Sequence, residues 1–290
     1  MTGATTDLTG RLTADAAGRR DSRAASEIGR VARLELVFSY RRGRTVLAHA
    51  YAEPPFRVGR LLEAGPVAQA ILVCSGPGIF TGDRLTQRVR VESGARLLLV
   101  SQAALQLHPS AAAVPASLEA CYEVEDDATL DCFWDPVIPF AGVRVRQRID
   151  LRIAGGGEIF WSDALMSGRV GRGERWQFAA LAHELRAHVG GALAYLERYD
   201  LSPSTRSATH PWRAHRANYL GTTIVRSPAA TAGRAESAQR RLGAIAGLQA
   251  GVDCLEPDLI VGRLMAEQGP PFLAGREVLR SVFERPPLRR

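Results

Sequence analysis

Two histidines five positions apart, His183 and His188, come nearest to the spacing of a known metal site. The segment HELRAH differs from the zinc-protease motif HExxH by carrying three residues between Glu184 and His188. On a helix, positions i and i+5 lie about 140° apart, whereas zinc ligands at i and i+4 share one face. On a strand, the same spacing puts the two side chains on opposite faces. The sequence therefore predicts that these histidines do not hold one metal ion.

A glycine-rich segment, GPGIFTGD at Gly76 to Asp83, is a candidate phosphate cradle. It lacks the Gly-Lys-Ser/Thr ending of a P-loop, and it lies among predicted strands instead of opening a helix. The glycines are therefore predicted to form a tight turn. Asp83 has two open interpretations, since its carboxylate either caps this turn or lines an internal passage.

The remaining reactive side chains form no familiar constellation. His210 and His215 lie five positions apart in a predicted loop; imidazole suits nickel, but the sequence favours ordinary surface or core histidines. No GxSxG motif and no Ser/His/Asp arrangement is visible. The cysteines form no CxxC pair and are predicted to be buried, reduced thiols. They are Cys74, Cys121, Cys132 and Cys254.

The elements that must position such groups are mostly strands. From Val143 to Ile153, apolar and charged residues alternate with the period of a strand that has one buried face. Turns at Arg41 to Arg44, Ser93-Gly94 and Gly190-Gly191 predict hairpins. No repeat of 20–50 residues is evident. The predicted strands are Val31–Tyr40, Thr45–Tyr51, Val67–Cys74, Leu85–Val91, Arg96–Val100, Leu118–Glu125, Thr129–Trp134, Val143–Ile153, Glu158–Leu165, Phe178–Val189, Ala192–Tyr199 and Asn218–Val225.

Helical patterns come late in the chain. Ala235 to Ala250 has good helix formers, and Phe272 to Phe283 has an apolar stripe at helical spacing. The predicted fold class is mainly β, with layered antiparallel or mixed sheets in one domain and about two α-helices, mostly toward the C-terminus. Residues 1–28 are predicted to be a disordered tail, and residues 29–290 a single β-rich domain.

Composition narrows the class of protein. Of the 290 residues, 46% are hydrophobic, yet no apolar run reaches the roughly 18 residues that span a bilayer. The N-terminus has no apolar core of a secretory signal, so the cytoplasm is the expected location. All 37 basic residues are arginines, and the net charge is +7. They are interspersed with 30 acids and accompany no nucleic-acid motif, so nucleic acid is not the expected partner, and the planar arginine side chains suit carboxylate partners.

Five segments, in this order and spacing, resemble the urease accessory protein family UreD, also called UreH. The resemblance extends roughly from Arg30 to Arg226. The segments are GPGIFTGDRL at Gly76–Leu85 with GARLLL at Gly94–Leu99, IPFAG at Ile138–Gly142, GRVGRGE at Gly168–Glu174, and LERYDLSP at Leu196–Pro203. This chain departs from the family pattern at residues 101–108, SQAALQLH, where the usual Lys and Tyr are missing. The departure indicates a divergent branch.

The resemblance implies a scaffold and not an enzyme. Such a chaperone acts in a hetero-oligomer with UreF and the GTPase UreG, docks on apo-urease, and helps to insert nickel into the urease active site. No tightly bound cofactor is implied, and nickel binds only transiently. Weak oxygen ligands suit such a passage, because each must release the ion again. The candidate nickel-passage groups are Asp83, Asp163 and Glu174, with Ser101; for each, a structural hydrogen-bonding role is the open alternative.

Two other classes of function stay open. One is a hydrolase whose site no motif reveals, which a pocket with perturbed carboxylates would support. The other is a β-rich protein-interaction module with no role in nickel delivery. Co-elution with UreF would favour the scaffold over both.

Overall fold

The computed structural model describes residues 29–64, 67–112, 114–202 and 216–285. The predicted tail of residues 1–28 and the pair His210 and His215 lie outside these described residues. The described chain is mainly β, with mixed sheets and two helices near the C-terminus, as predicted. Neither helix is long and apolar enough to cross a membrane.

Strands follow one another along most of the described chain. They are β1 Val31–Arg41, β2 Arg44–Ala52, β3 Phe56–Val58, β4 Leu62–Ala64, β5 Val67–Cys74, β6 Ile79–Phe80, β7 Arg84–Val91, β8 Arg96–Ser101, β9 Leu105–His108, β10 Ala116–Val124, β11 Thr129–Phe133, β12 Val137–Pro139, β13 Arg144–Ile153, β14 Glu158–Ser162, β15 Leu165–Met166, β16 Ala180–Val189, β17 Ala192–Leu201, β18 Tyr219–Arg226, β19 Leu248–Glu256 and β20 Leu259–Ala266. The helices are α1 Ala232–Gly243 and α2 Gly269–Val282, and a 3₁₀ turn spans Val170–Arg172.

The strands of the described residues form two sheets. The first sheet has seven strands in the order β17-β16-β13-β10-β7-β1-β2. The second sheet has 13 strands; its path runs β3-β5-β8-β11-β14-β18-β15-β12-β9-β6, with β4, β19 and β20 attached beside it. Inward side chains of both sheets meet in one apolar cluster that includes Phe38, Leu99 and Trp161.

The chain between β7 and β16 winds as a coil whose turns stack in parallel. Each turn places one strand in the first sheet and two in the second, and the next turn pairs alongside it. Arg84 lies opposite Ser117, 33 residues later, and Ser117 lies opposite Arg146, 29 residues later. The repeat is present in the structure but not in the sequence, because successive turns of the coil differ in length.

Two of the three predicted hairpins are confirmed. The β1–β2 and β16–β17 pairs are antiparallel. The hairpin predicted at Ser93-Gly94 is wrong, because β7 pairs within the first sheet and β8 within the second. The turn there carries the chain from one sheet to the other, so that Val91 and Leu97 meet through side chains. The predicted strand Glu158–Leu165 is two strands, β14 and β15.

The first predicted helix is shorter than expected. It ends at Gly243, and the predicted helical residues Leu248 to Ala250 belong instead to β19. The backbone reverses at Gly247, whose φ of +80° favours glycine, and β19 then pairs antiparallel with β20. Strand pairing thus overrides good helix-forming residues. The second helix is confirmed and starts earlier, at Gly269, because prolines fit the first turn.

Candidate functional site: an internal polar passage

Polar side chains occupy inward positions at one level of the coil. Gln147, His183 and Tyr199 lie side by side on neighbouring strands of the first sheet. The Nδ1 atom of His183 lies 3.1 Å from Oε1 of Gln147, and its ring stacks on Tyr199 with 4.7 Å between centroids. Buried polar groups cost free energy unless they find partners. His183, which is 5% exposed, thus has partners within a mainly apolar interior.

Two cavities have Asp163 in their linings. The smaller, of about 160 Å³, is also lined by Gln87, Ser101 and Asp135. The larger, of about 370 Å³, is also lined by Glu197, Thr222 and Arg263. Each exceeds the roughly 10–15 Å³ that one water molecule needs. Asp163 belongs to the linings of both cavities.

Asp163 directly follows β14 and is held by two donors. Its Oδ2 accepts a hydrogen bond from Nε1 of Trp161 at 3.1 Å, and its Oδ1 accepts one from the backbone N–H of Thr222 at 3.2 Å. Burial raises the pKa of Asp163; the nearby His183 opposes this rise, and the negative charge of Glu197 adds to it. The carboxylate is therefore fixed in position and responsive to nearby cations.

Glu197 is the second buried carboxylate of the passage. Its Oε2 accepts hydrogen bonds from Oγ1 of Thr222 at 2.9 Å and from the hydroxyl of Tyr195 at 3.0 Å, and it pairs with Nη2 of Arg263 at 3.1 Å. Thr222 thus joins both carboxylates, through its N–H to Asp163 and its hydroxyl to Glu197. Thr222 therefore holds the two carboxylates in fixed positions relative to each other.

Ser101 lies at the other side of the smaller cavity. Its hydroxyl donates to Oδ2 of Asp135 at 3.1 Å and accepts from the Asp135 N–H at 2.7 Å. The structure therefore brings two of the predicted residues, Ser101 and Asp163, to the wall of one cavity.

The other two predicted residues line neither cavity. Asp83 is 4% exposed, and its oxygens accept hydrogen bonds from the backbone N–H groups of Arg30 at 2.8 Å and Phe80 at 3.0 Å. Glu174 accepts hydrogen bonds from the Arg169 side chain, which lowers the pKa of Glu174, and from the Ala141 N–H. A passage role for Asp83 and Glu174 stays a prediction, and the turn-capping alternative for Asp83 has its hydrogen bonds in place.

Replacing Asp83 with alanine is expected to lower the free energy of unfolding by about 2 kcal/mol, because two buried backbone donors lose their acceptor. Asp126→Ala is the matched control, since Asp126 caps an exposed turn through one bond to the Gly156 N–H. It should cost less than half as much. Urea unfolding of both variants makes the comparison. Unchanged stability of Asp83→Ala together with reduced activation of a urease would contradict the capping role.

The HELRAH segment forms part of β16. His183 faces the interior, whereas His188 lies on the outer face beside Arg152 and Arg186. Among the described residues, no three His, Cys, Asp or Glu side chains are arranged to hold a metal ion. The four cysteines are free, but the expectation that all are buried is wrong, because Cys74, Cys121 and Cys254 are half-buried and Cys132 is buried. Burial raises the pKa of Cys132 well above its usual value.

Sequence reasoning missed most of the passage lining, although part of the signal was present. Gln87, Gln147 and His183 are polar residues at inward positions of strands whose other inward positions are apolar. Such interruptions of a period-two pattern mark a polar interior. Glu197 could not be recognised this way, because the alternation of its strand is irregular. The apolar Leu196 faces outward, and the pairing with β16 shifts register between Ala187 and His188.

Comparison with known proteins agrees with the resemblance in the sequence. A family profile described as UreD urease accessory protein matches residues 30–289. A "Urease accessory protein UreD" from Sorangium cellulosum (strain So ce56) is 36% identical over 217 residues, which cover 74% of this chain and 68% of the relative.

Two further relatives carry the same name. One from Deinococcus radiodurans is 31% identical over 226 residues, covering 77% of this chain and 81% of its own. One from Lysinibacillus sphaericus (strain C3-41) is 28% identical over 204 residues, covering 70% and 76%. The chain belongs to the UreD family of urease accessory proteins.

Proposed function

We propose that this protein is a non-catalytic, cytoplasmic chaperone of urease maturation, through which nickel passes toward the active site of apo-urease. It acts in a complex with UreF and the GTPase UreG, and nickel is its transient cargo. Membership of the UreD family supports the role in maturation. The observation that carries the route is a pair of carboxylates, the half-buried Asp163 and the buried Glu197, which are joined through Thr222 and line the larger cavity.

The geometry suits transit better than storage. The two oxygens of Asp163 and the Oε2 of Glu197 already accept hydrogen bonds from fixed protein donors. An arriving dication competes with these donors, so each carboxylate binds it weakly. Weak, successive oxygen ligands allow an ion to enter and to leave again.

A hydrolase is the alternative that a perturbed carboxylate would favour. Asp163 is such a carboxylate, since burial raises its pKa. Within the described residues, however, the contacts of the neighbouring His183 ring are with Gln147 and Tyr199, and neither is a serine or cysteine nucleophile. The contacts of this site therefore favour passage over catalysis.

The test is activation of a urease in cells that express its structural and accessory proteins together with variants of this chain. Asp163→Asn and Glu197→Gln keep side-chain size but remove charge. Each is expected to lower urease activity and the nickel content of the purified urease by about tenfold. A tenfold change corresponds to about 1.4 kcal/mol in the free energy of nickel transfer. Co-purification with UreF should be unchanged, because Glu197 is buried, Asp163 is half-buried, and both substitutions keep the size of the side chain.

Asp150→Asn is the matched control. Asp150 lies on the outer face of the same coil, where it pairs with Arg148. This variant should load nickel normally. Full nickel loading by Asp163→Asn and Glu197→Gln would overturn the route, and hydrolysis of a test substrate that Asp163→Asn abolishes would favour the enzyme instead.

A further inference from the structure

One arginine covers the outer end of the passage. Arg263 lies on β20, lines the larger cavity, and places Nη2 3.1 Å from Oε2 of Glu197. The same guanidinium donates to the Tyr195 hydroxyl at 2.7 Å. The Arg263 side chain is 57% exposed, whereas that of Glu197 is 7% exposed. A solvent-facing cation thus shields an inward-facing anion.

The position of Arg263 in the fold makes this contact movable. Glu197 and Tyr195 belong to β17, the edge strand of the first sheet, and Arg263 belongs to the second sheet. No described strand pairing joins β17 to β20, so side chains alone close this side of the passage. The guanidinium is mostly exposed, and long arginine side chains reorient readily, whereas the charge left on the buried Glu197 would then need a new counter-charge. The guanidinium can therefore leave Glu197 without any change in the sheets.

We propose that Arg263 is the electrostatic gate of the passage: its guanidinium occupies Glu197 at rest, and a divalent cation binds there only when Arg263 turns out to solvent. This inference rests on the proposed function for its cargo and goes beyond it by naming the residue that controls access. With Arg263 in place, the carboxylate charge is neutralised. With Arg263 displaced, Glu197 and the neighbouring Asp163 present negative charge to the cavity, and a dication is the fitting counter-charge.

The gate also explains the arrangement of hydrogen bonds around Glu197. All the described donors to this carboxylate, including Thr222 and Tyr195, converge on Oε2, and Oε1 accepts none from the described residues. Removing the guanidinium leaves Thr222 and Tyr195 to hold the carboxylate in position. The ligand is thus already oriented before the ion arrives.

The experiment measures binding of Ni²⁺ to the full-length chain by equilibrium dialysis, with UreF present in all samples if the chain requires it for solubility. Arg263→Met keeps the apolar stem and removes the charge. It is expected to bind one additional Ni²⁺ per chain at least tenfold more tightly than the unaltered protein. Arg263→Lys, which keeps the charge, should behave like the unaltered protein. The double variant Arg263→Met with Glu197→Gln should lose the added site.

Arg198→Met is the matched control, because Arg198 neighbours Glu197 on β17 but pairs with Glu184 on the outer face. It should leave nickel binding unchanged. If Arg263→Met proves unstable, Arg263→Gln removes the charge and retains a donor for Tyr195.

Equal nickel binding by the unaltered protein and the uncharged variants would overturn the gate. A gain that persists in the double variant would also overturn it, because the ion would then lie elsewhere. Since the measurement involves no urease, its result is independent of whether nickel delivery is correct.

Discussion

Arg276→Ala is expected to lower the free energy of unfolding by about 4 kcal/mol. Arg276 lies on α2 and is 1% exposed. Its guanidinium donates to the carbonyl oxygens of Trp134 at 2.8 Å and Ser162 at 3.0 Å, and it stacks over the Phe133 ring at 3.8 Å. Alanine would leave two buried carbonyl groups without this donor and would empty the space that the side chain fills.

Urea unfolding of the full-length chain measures this loss. Arg276→Lys is expected to recover only part of the stability, because an ammonium group cannot reproduce the planar group whose Nη2 reaches both carbonyls while its Nε donates to Oγ of Ser162. Arg240→Ala on the exposed face of α1 is the control and should change the free energy by less than about 0.5 kcal/mol. A loss below 1 kcal/mol in Arg276→Ala would show that α2 is held by its apolar stripe alone.

Asp131→Asn is expected to remove a pH dependence of stability worth about 3 kcal/mol. Burial raises the pKa of Asp131 from 3.8 to about 6, although Arg285 opposes this from 3.5 Å. The folded protein therefore holds a proton that the unfolded chain releases. The stabilisation from this proton is complete below pH 4 and is lost as the pH rises through 6, so this residue makes the protein less stable with rising pH.

Chemical unfolding between pH 4.5 and pH 7.5 tests the sign as well as the size. The difference in unfolding free energy between Asp131→Asn and the unaltered protein should shift in favour of the variant as the pH rises. Asp126→Asn, in an exposed turn, is the control and should show no such trend. A difference that stays constant over this range would mean that Asp131 remains ionised throughout.

Local patterns predicted the faces of strands but not their partners. The alternation from Val143 to Ile153 correctly separates inward from outward residues of β13. It cannot reveal that β13 pairs with β10 and β16, because parallel neighbours are about 30 residues away in sequence. A turn such as Ser93-Gly94 can join two strands of a hairpin or two strands of different sheets. Which of these forms depends on how the flanking strands pack.

The candidate site was predictable in part for the same reason. Ser101 and Asp163 were named from a family resemblance, and both line the smaller cavity. Two features of the fold bring Glu197 and Arg263 together. Strand β17 folds back on β16, and β20 pairs with β19, a strand that begins where a helix was predicted. Contacts between distant strands are decided by the whole core, so local pattern could not supply them.

Synthesis from the N-terminus makes the carbonyl groups that Arg276 binds long before Arg276 itself. Trp134 and Ser162 leave the ribosome 142 and 114 residues before the side chain that binds their carbonyl groups. At synthesis rates of 5–20 residues per second, Trp134 waits about 7 to 28 s for this partner. In the later part of that interval, after Val189 has been made, the coil is complete but its C-terminal cover is absent. Phe133 and Phe160 then face solvent, so a nascent chain arrested in this window is the form most prone to aggregation.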